Sequence, residues 1–121
     1  MPRTVLVVDD SVTIRQMVSY TLKQAGFGVL EAADGQDALE RLGGGRVDLV
    51  ITDLNMPRMD GITMIHRLRV RPASKYTPVV MLTTESQESK RQEGRAAGAT
   101  AWMVKPFHPD KLLAVIAKVL P

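Results

Sequence analysis

Five times along this chain a short apolar run is followed by a segment of helical period, and that alternation restricts the fold more than any other feature. The runs are Val5-Leu6-Val7-Val8, Val29-Leu30-Glu31-Ala32, Val47-Asp48-Leu49-Val50-Ile51-Thr52, Val79-Val80-Met81-Leu82 and Ala101-Trp102-Met103-Val104. After the first, Ile14, Met17, Val18, Leu22 and Ala25 recur at helical spacing, with Ser11 placed to cap the helix and Gly26 to close it. A second helix from about Gly35 turns Ala38, Leu39 and Leu42 inward and stops at Gly43-Gly44-Gly45. The third carries Ile62, Ile65 and Leu68 and ends at Pro72. Thr84 and Gln87 have the spacing of a capping box for a fourth helix that runs to Gly98. The fifth begins near Asp110 and carries Leu112, Leu113, Ile116, Val119 and Leu120. Strands that alternate with helices pack as a parallel sheet with helices on both faces, joined by right-handed crossovers. The third run is almost wholly apolar, the pattern of a strand buried on both faces. The expected class is therefore α/β, a doubly wound parallel sheet.

At 121 residues and 13.3 kDa the chain reads as one domain, residues 1–121, large enough to build its own core. No apolar run approaches the roughly 20 residues of a membrane helix. Met1-Pro2-Arg3 leads directly into a strand-like run, so neither a membrane span nor a signal peptide is expected and the expected location is cytoplasmic. The absence of cysteine excludes disulfides and thiolate chemistry. A net charge of +3 is spread over scattered lysines and arginines, which reads as a solvated surface. With aromatics at 4%, no stacking platform for single-stranded nucleic acid is present, and no DNA-reading module remains once the helices are assigned. Nucleic acid is not an expected partner.

One element is weakly anchored. Between Ser86 and Gly98 the apolar residues are Ala96 and Ala97, and Gly94 costs about 1 kcal/mol inside a helix. Such a segment is either a plain polar surface helix or an element that a small energy repositions.

In open α/β sheets ligands bind beyond the carboxyl ends of the strands. Four of the runs end at chemistry: Asp9-Asp10, Asp53, Thr83 and Lys105-Pro106. Taken alone, Asp10 reads as a helix cap and Thr83 as an ordinary strand-end threonine. The conjunction with Asp53 and Lys105 is what points to a site. Three carboxylates brought together without a cation would push one or more pKa values up, and a divalent metal resolves the conflict. Oxygen donors without His or Cys select Mg²⁺, with the Asn55 backbone carbonyl as a further ligand. A metal-bound aspartate is a nucleophile toward phosphorus, and Lys105 can pair with Asp53 and then with a phosphoryl oxygen. A cis Lys105–Pro106 bond suits such a turn. His66 and His108 are expected at the surface, with no part in the chemistry. The glycine triplet lacks the lysine and spacing of a phosphate-binding loop.

In order and spacing, Val7-Val8-Asp9-Asp10-Ser11, Ile51-Thr52-Asp53-Leu54-Asn55-Met56-Pro57, Met59-Asp60-Gly61, Leu82-Thr83-Thr84 and Val104-Lys105-Pro106-Phe107 resemble the response-regulator receiver domains of the single-domain chemotaxis CheY type, over essentially the whole chain. The resemblance implies a flavodoxin-like (βα)5 fold with strand order 2-1-3-4-5. It implies that Asp53 accepts a phosphoryl group from a phosphohistidine on a sensor histidine kinase. Mg²⁺ would be held by Asp9, Asp10 (directly), Asp53 and the Asn55 carbonyl. Thr83 and Trp102 would act as switch residues, repacking the face of the fourth helix, fifth strand and fifth helix where an output protein docks, in chemotaxis the flagellar motor switch. Asn55 and Glu85 occupy the positions that tune phosphoryl lifetime. Trp102 departs from the commoner Tyr or Phe. The implied protein is a monomeric phosphoacceptor that catalyses only its own phosphorylation and dephosphorylation. The alternative within the family is a receiver from a larger regulator or a phosphorelay shuttle. A metal-dependent small-molecule phosphatase is disfavoured because Asn55 stands where its second carboxylate belongs. Dinucleotide binding fails for want of Gly-x-Gly-x-x-Gly after the first strand.

Overall fold

The apolar runs pair as one parallel sheet in the order β2-β1-β3-β4-β5, formed by β1 (Thr4–Val8), β2 (Gly28–Ala32), β3 (Leu49–Thr52), β4 (Val79–Thr83) and β5 (Ala101–Val104). The computed structural model describes residues 3–120, so Met1, Pro2 and Pro121 of the expected 1–121 domain lie outside the described residues. Between the strands run α1 (Val12–Gln24), α2 (Gly35–Leu42), α3 (Gly61–Arg69), α4 (Glu88–Ala97) and, after β5, α5 (Pro109–Val119). A short 3-10 turn at Pro72–Ser74 follows α3, with Pro72 at its first position, where the missing N–H costs no hydrogen bond. The expected fold and strand order are both present.

Strand alternation builds two cores. Leu6, Val8, Val50 and Met81 face α2, α3 and α4, where they meet Ala38, Leu42, Ile62, Ile65, Leu68 and Ala97. Val5, Val7, Leu49, Ile51, Val80 and Leu82 face α1 and α5, where they meet Val18, Leu22, Leu112 and Ile116. All four residues of β3 are buried, as expected of a central strand. Ser11 caps α1 by accepting from Ile14 N–H at 3.3 Å, and Gly26, at φ 93, follows its end.

Three expectations need correction. Met17 and Ala25 share the helical spacing of α1 but are exposed, Met17 by 50%. Of the two alanines expected to anchor α4, Ala97 is buried and Ala96 is exposed. The Thr84–Gln87 capping box does not form: α4 starts at Glu88, and Gln87 makes no side-chain cap. Instead Glu85 N–H donates to the Thr83 hydroxyl at 3.2 Å, and Gln87 N–H to the Glu85 carboxylate at 3.2 Å. These two local bonds occupy the loop and delay the helix.

The register sets the site. Val8 lies level with Ala32 and Thr52, Thr52 with Met81, and Thr83 with Val104. The residues that follow those strand ends therefore emerge at one edge.

Candidate functional site

Asp9 follows β1 and is tied to β2 by its N–H, which donates to the Ala32 carbonyl at 3.1 Å. Its carboxylate accepts from Ser11 N–H at 2.9 Å and from Lys105 Nζ at 2.7 Å. Asp53 follows β3, donates its N–H to the Val8 carbonyl at 2.9 Å, and is likewise buried. Its Oδ1 accepts from Leu54 N–H at 2.7 Å and its Oδ2 from Lys105 Nζ at 3.0 Å. Asp10 is exposed beside them, and one carboxylate oxygen from each of Asp9, Asp10 and Asp53 lies within 4.8 Å of the other two. Lys105 is held by its own N–H on the Thr83 carbonyl at 2.8 Å and precedes a cis peptide bond to Pro106. The expected convergence of positions 9, 10, 53 and 105 is thus present.

The electrostatics are those of a pocket short of positive charge. Burial pushes the Asp9 carboxyl above its ordinary value, a rise that the Lys105 and Ser11 bonds reduce and the nearby Asp53 increases. Burial alone would lower the Lys105 ammonium, but its bonds to Asp9 and Asp53 outweigh it, and the net displacement is upward. One ammonium faces three carboxylates. The donors are all oxygen, the set preferred by a hard divalent cation, and Asp10 is solvent-exposed.

The other expected residues surround this centre. Thr83 is fully buried, with its hydroxyl under Glu85 N–H. Trp102 is half-buried against the core, and its indole N–H donates to the Glu85 carbonyl at 3.0 Å. Glu85 is thus gripped by Thr83 on one side and Trp102 on the other. Asn55 is exposed on the loop after Asp53. His66 and His108 are exposed, as expected.

Sequence reasoning gave no individual role to Gly61, Asp60, Arg15, Asp34 or Arg58. Gly61 lets α3 start against the end of β3, for a Cβ there would overlap the Asp53 carbonyl. The Asp60-Gly61 pair signals the turn, and Asp60 caps α3 through Thr63 N–H at 2.7 Å. Arg15 lies beneath Asp9, donating to its carbonyl at 2.6 Å and pairing with Glu31 at 3.2 Å. Asp34 and Arg58 form an ion pair at 2.9 Å on the same edge of the sheet. The three-residue spacing from Asp34 to Asp37 is a local signal that could have found the α2 cap, but neither arginine's partner leaves one.

The comparisons agree with this geometry. The family model described as Response regulator receiver domain matches residues 5–117. The phosphate regulon transcriptional regulatory protein PhoB of Escherichia coli is 38% identical over 120 residues, which are 99% of this chain and 52% of PhoB. The chain thus spans about half the length of that relative. Protein PilG of Pseudomonas aeruginosa is 35% identical over 97% of this chain and 87% of its own. The chemotaxis protein CheY4 of Vibrio cholerae superposes with a TM-score of 0.95 at 49% identity, covering 99% of this chain and 100% of CheY4.

Proposed function

Because the chain belongs to the response regulator receiver domain family, a family of phosphoacceptor signalling modules, we propose that Asp53 is its phosphoacceptor and that Asp9, Asp10, Asp53 and the Asn55 carbonyl hold Mg²⁺. The observation that carries this reading is the Lys105 ammonium bridging Asp9 and Asp53 beside a third carboxylate. An oxygen of Asp53 attacks the phosphorus of a phosphohistidine on a sensor histidine kinase. The P–O bond forms as the P–N bond breaks, and the departing electron pair returns to the imidazole nitrogen, which takes up a proton. Lys105 exchanges its Asp53 contact for a phosphoryl oxygen and offsets the transferred charge. The Thr83 hydroxyl, which accepts from Glu85 N–H, would donate its proton to the same group. Bound Mg²⁺ would neutralise the equatorial phosphoryl oxygens.

The output follows from Glu85. If Thr83 turns toward the phosphoryl group, the loop that Trp102 also holds must adjust, and the face of α4, β5 and α5 repacks for a protein partner. The similarity to the chemotaxis protein CheY4 supports a chemotaxis-type output, with a flagellar motor switch as the candidate target. In this reading residues 1–121 act as a monomeric receiver in the cytoplasm. The half-length match to PhoB supports the second reading, a receiver belonging to a longer regulator or a phosphorelay shuttle. Among the described residues no helix is long and apolar enough to cross a membrane.

Acetyl phosphate and Mg²⁺ should add one phosphoryl group to the intact protein by mass spectrometry, and Asp53→Asn should abolish it. Undiminished labelling of Asp53→Asn would reject the nucleophile. Asn55 and Glu85 are proposed to set the lifetime of the product.

A further inference from the structure

The loop between β3 and α3, residues 53–60, carries both Asp53 and Asn55. Its two ends are joined by Gly61 N–H, which donates to the Leu54 carbonyl at 2.8 Å. Its far side is held from elsewhere in the chain. Arg58 sits at φ 65, the one non-glycine residue with positive φ among the described residues. A long side chain stays in that region only where its surroundings over-determine it. Here its guanidinium forks onto Asp34, Nε to Oδ2 at 2.9 Å and Nη2 to Oδ1 at 3.1 Å. Two parallel charge-assisted bonds of this kind are beyond lysine. The next residue continues the clasp. The Met59 carbonyl accepts from Gly35 N–H at 3.2 Å, and a Cβ on Gly35 would lie 2.9 Å from both Met59 Cγ and that carbonyl oxygen.

The other half of the clasp is rigid. Asp34 caps α2 through Asp37 N–H at 2.8 Å, and its side chain is 8% exposed. It therefore offers a fixed anchor rather than a carboxylate that follows the loop. An exposed ion pair by itself contributes little. A left-handed turn by itself would be met by glycine without strain. Strained backbone together with a bidentate pair to a fixed carboxylate means that the arginine side chain sets the loop.

We propose that Arg58 is a positioning residue for the metal site: its clasp on Asp34 fixes where the Asn55 backbone stands relative to Asp53. This rests on the reading of Asp9, Asp10 and Asp53 as Mg²⁺ ligands and adds a residue that touches neither metal nor phosphoryl group.

The test uses Arg58→Gly, which keeps the left-handed turn without strain and removes the fork, and Arg58→Lys, which keeps charge without the fork. Mg²⁺ is titrated into the full chain by calorimetry, and amide exchange is followed over residues 54–60. Arg58→Gly should melt at or above the wild-type temperature, since relief of strain offsets the lost pair. Its Mg²⁺ Kd should rise about tenfold, the scale of lost outer support at a metal site, and exchange should accelerate at 55–59. Arg58→Lys should fall between. At saturating Mg²⁺ the variant should regain the wild-type rate of labelling by acetyl phosphate, a split that misfolding would not produce. Wild-type Mg²⁺ affinity and unchanged exchange in Arg58→Gly overturn the clasp alone. Absence of Mg²⁺ binding by the wild-type chain overturns the metal reading and this inference with it.

Discussion

Gly94 lies where α4 passes over the indole of Trp102, and a Cβ built on it would stand 2.8 Å from ring atom Cζ3 and 3.3 Å from Cε3. In an open helix Gly→Ala stabilises by about 1 kcal/mol. Overlap with a packed ring costs about 1–3 kcal/mol, so here the overlap wins. Gly94→Ala should lower the Tm of the wild-type chain yet raise it in a Trp102→Ala background, where the ring is gone. Thermal melts of the four proteins check the reversal, and a stabilising Gly94→Ala in the wild-type background would sink it. At Asp34 the quantity to watch is charge. Its hydrogen bond from Arg58 holds the carboxyl below the usual 3.8, burial works against this, and the Asp37 N–H assists. A depressed folded value means that the stabilisation is fully present above pH 3.8 and is lost as pH falls through the lower folded value. Asp34→Asn keeps an N-cap of equal quality but removes the ion pair. It should flatten the acid limb of urea-derived stability below about pH 4, and an unaltered limb would show that the pair contributes nothing.

At the scale of elements, α4 is held unequally at its two ends. Gly98, at φ 116, closes it, and the Gly98 carbonyl accepts from Arg69 Nη2 at 2.8 Å while Arg69 Nη1 donates to Ser74 at 2.9 Å. The start has no side-chain cap, and its buried residues, Gly94 and Ala97, come late. The helix should therefore swing from its C-terminal end. With a beryllofluoride mimic and Mg²⁺, amide exchange should slow over residues 85–92 more than over 95–98, and equal slowing at both ends would reject the pivot. The same helix shows what was legible in the sequence and what was not. Strand runs, the Ser11 cap and the strand-end carboxylates depend on neighbours in sequence or on a general rule about parallel sheets, so they could be read. The anchoring of α4 depends on Arg69 reaching a carbonyl 29 residues away, and the Arg58 clasp spans 24. Pairings of that range arise from how loops meet after folding and leave no local periodicity. Gly94 misled for the same reason: its use is visible only beside Trp102.

At the scale of the whole molecule, strand order explains why the site is under electrostatic load. β1 and β3 are adjacent at the centre of the sheet, so the residues that follow them, Asp9 and Asp53, are forced together, and Lys105 reaches both from beyond β5. The fold thus assembles three carboxylates against one ammonium, and a divalent ion should bind the native chain and not the unfolded one. At tenfold excess over Kd this linkage is worth about 1.4 kcal/mol, a rise in Tm of roughly 4–6 °C for a domain of this size. Lys105 pairs with Asp9 and Asp53, so in the proposed site it would share their carboxylates with the metal, and its removal has two opposed effects. Without the ammonium the metal-free protein is left with uncompensated buried charge and should melt lower. The same uncompensated charge should attract Mg²⁺ more strongly, so Lys105→Ala should show a larger Mg²⁺-induced rise than the wild type while losing phosphorylation rate. Asp53→Asn, with one carboxylate fewer, should show the smallest rise. Calorimetric melts in chelator and in excess Mg²⁺ order the three proteins, and a Lys105→Ala increment no larger than that of the wild type would mean that the ammonium and the metal do not share a site.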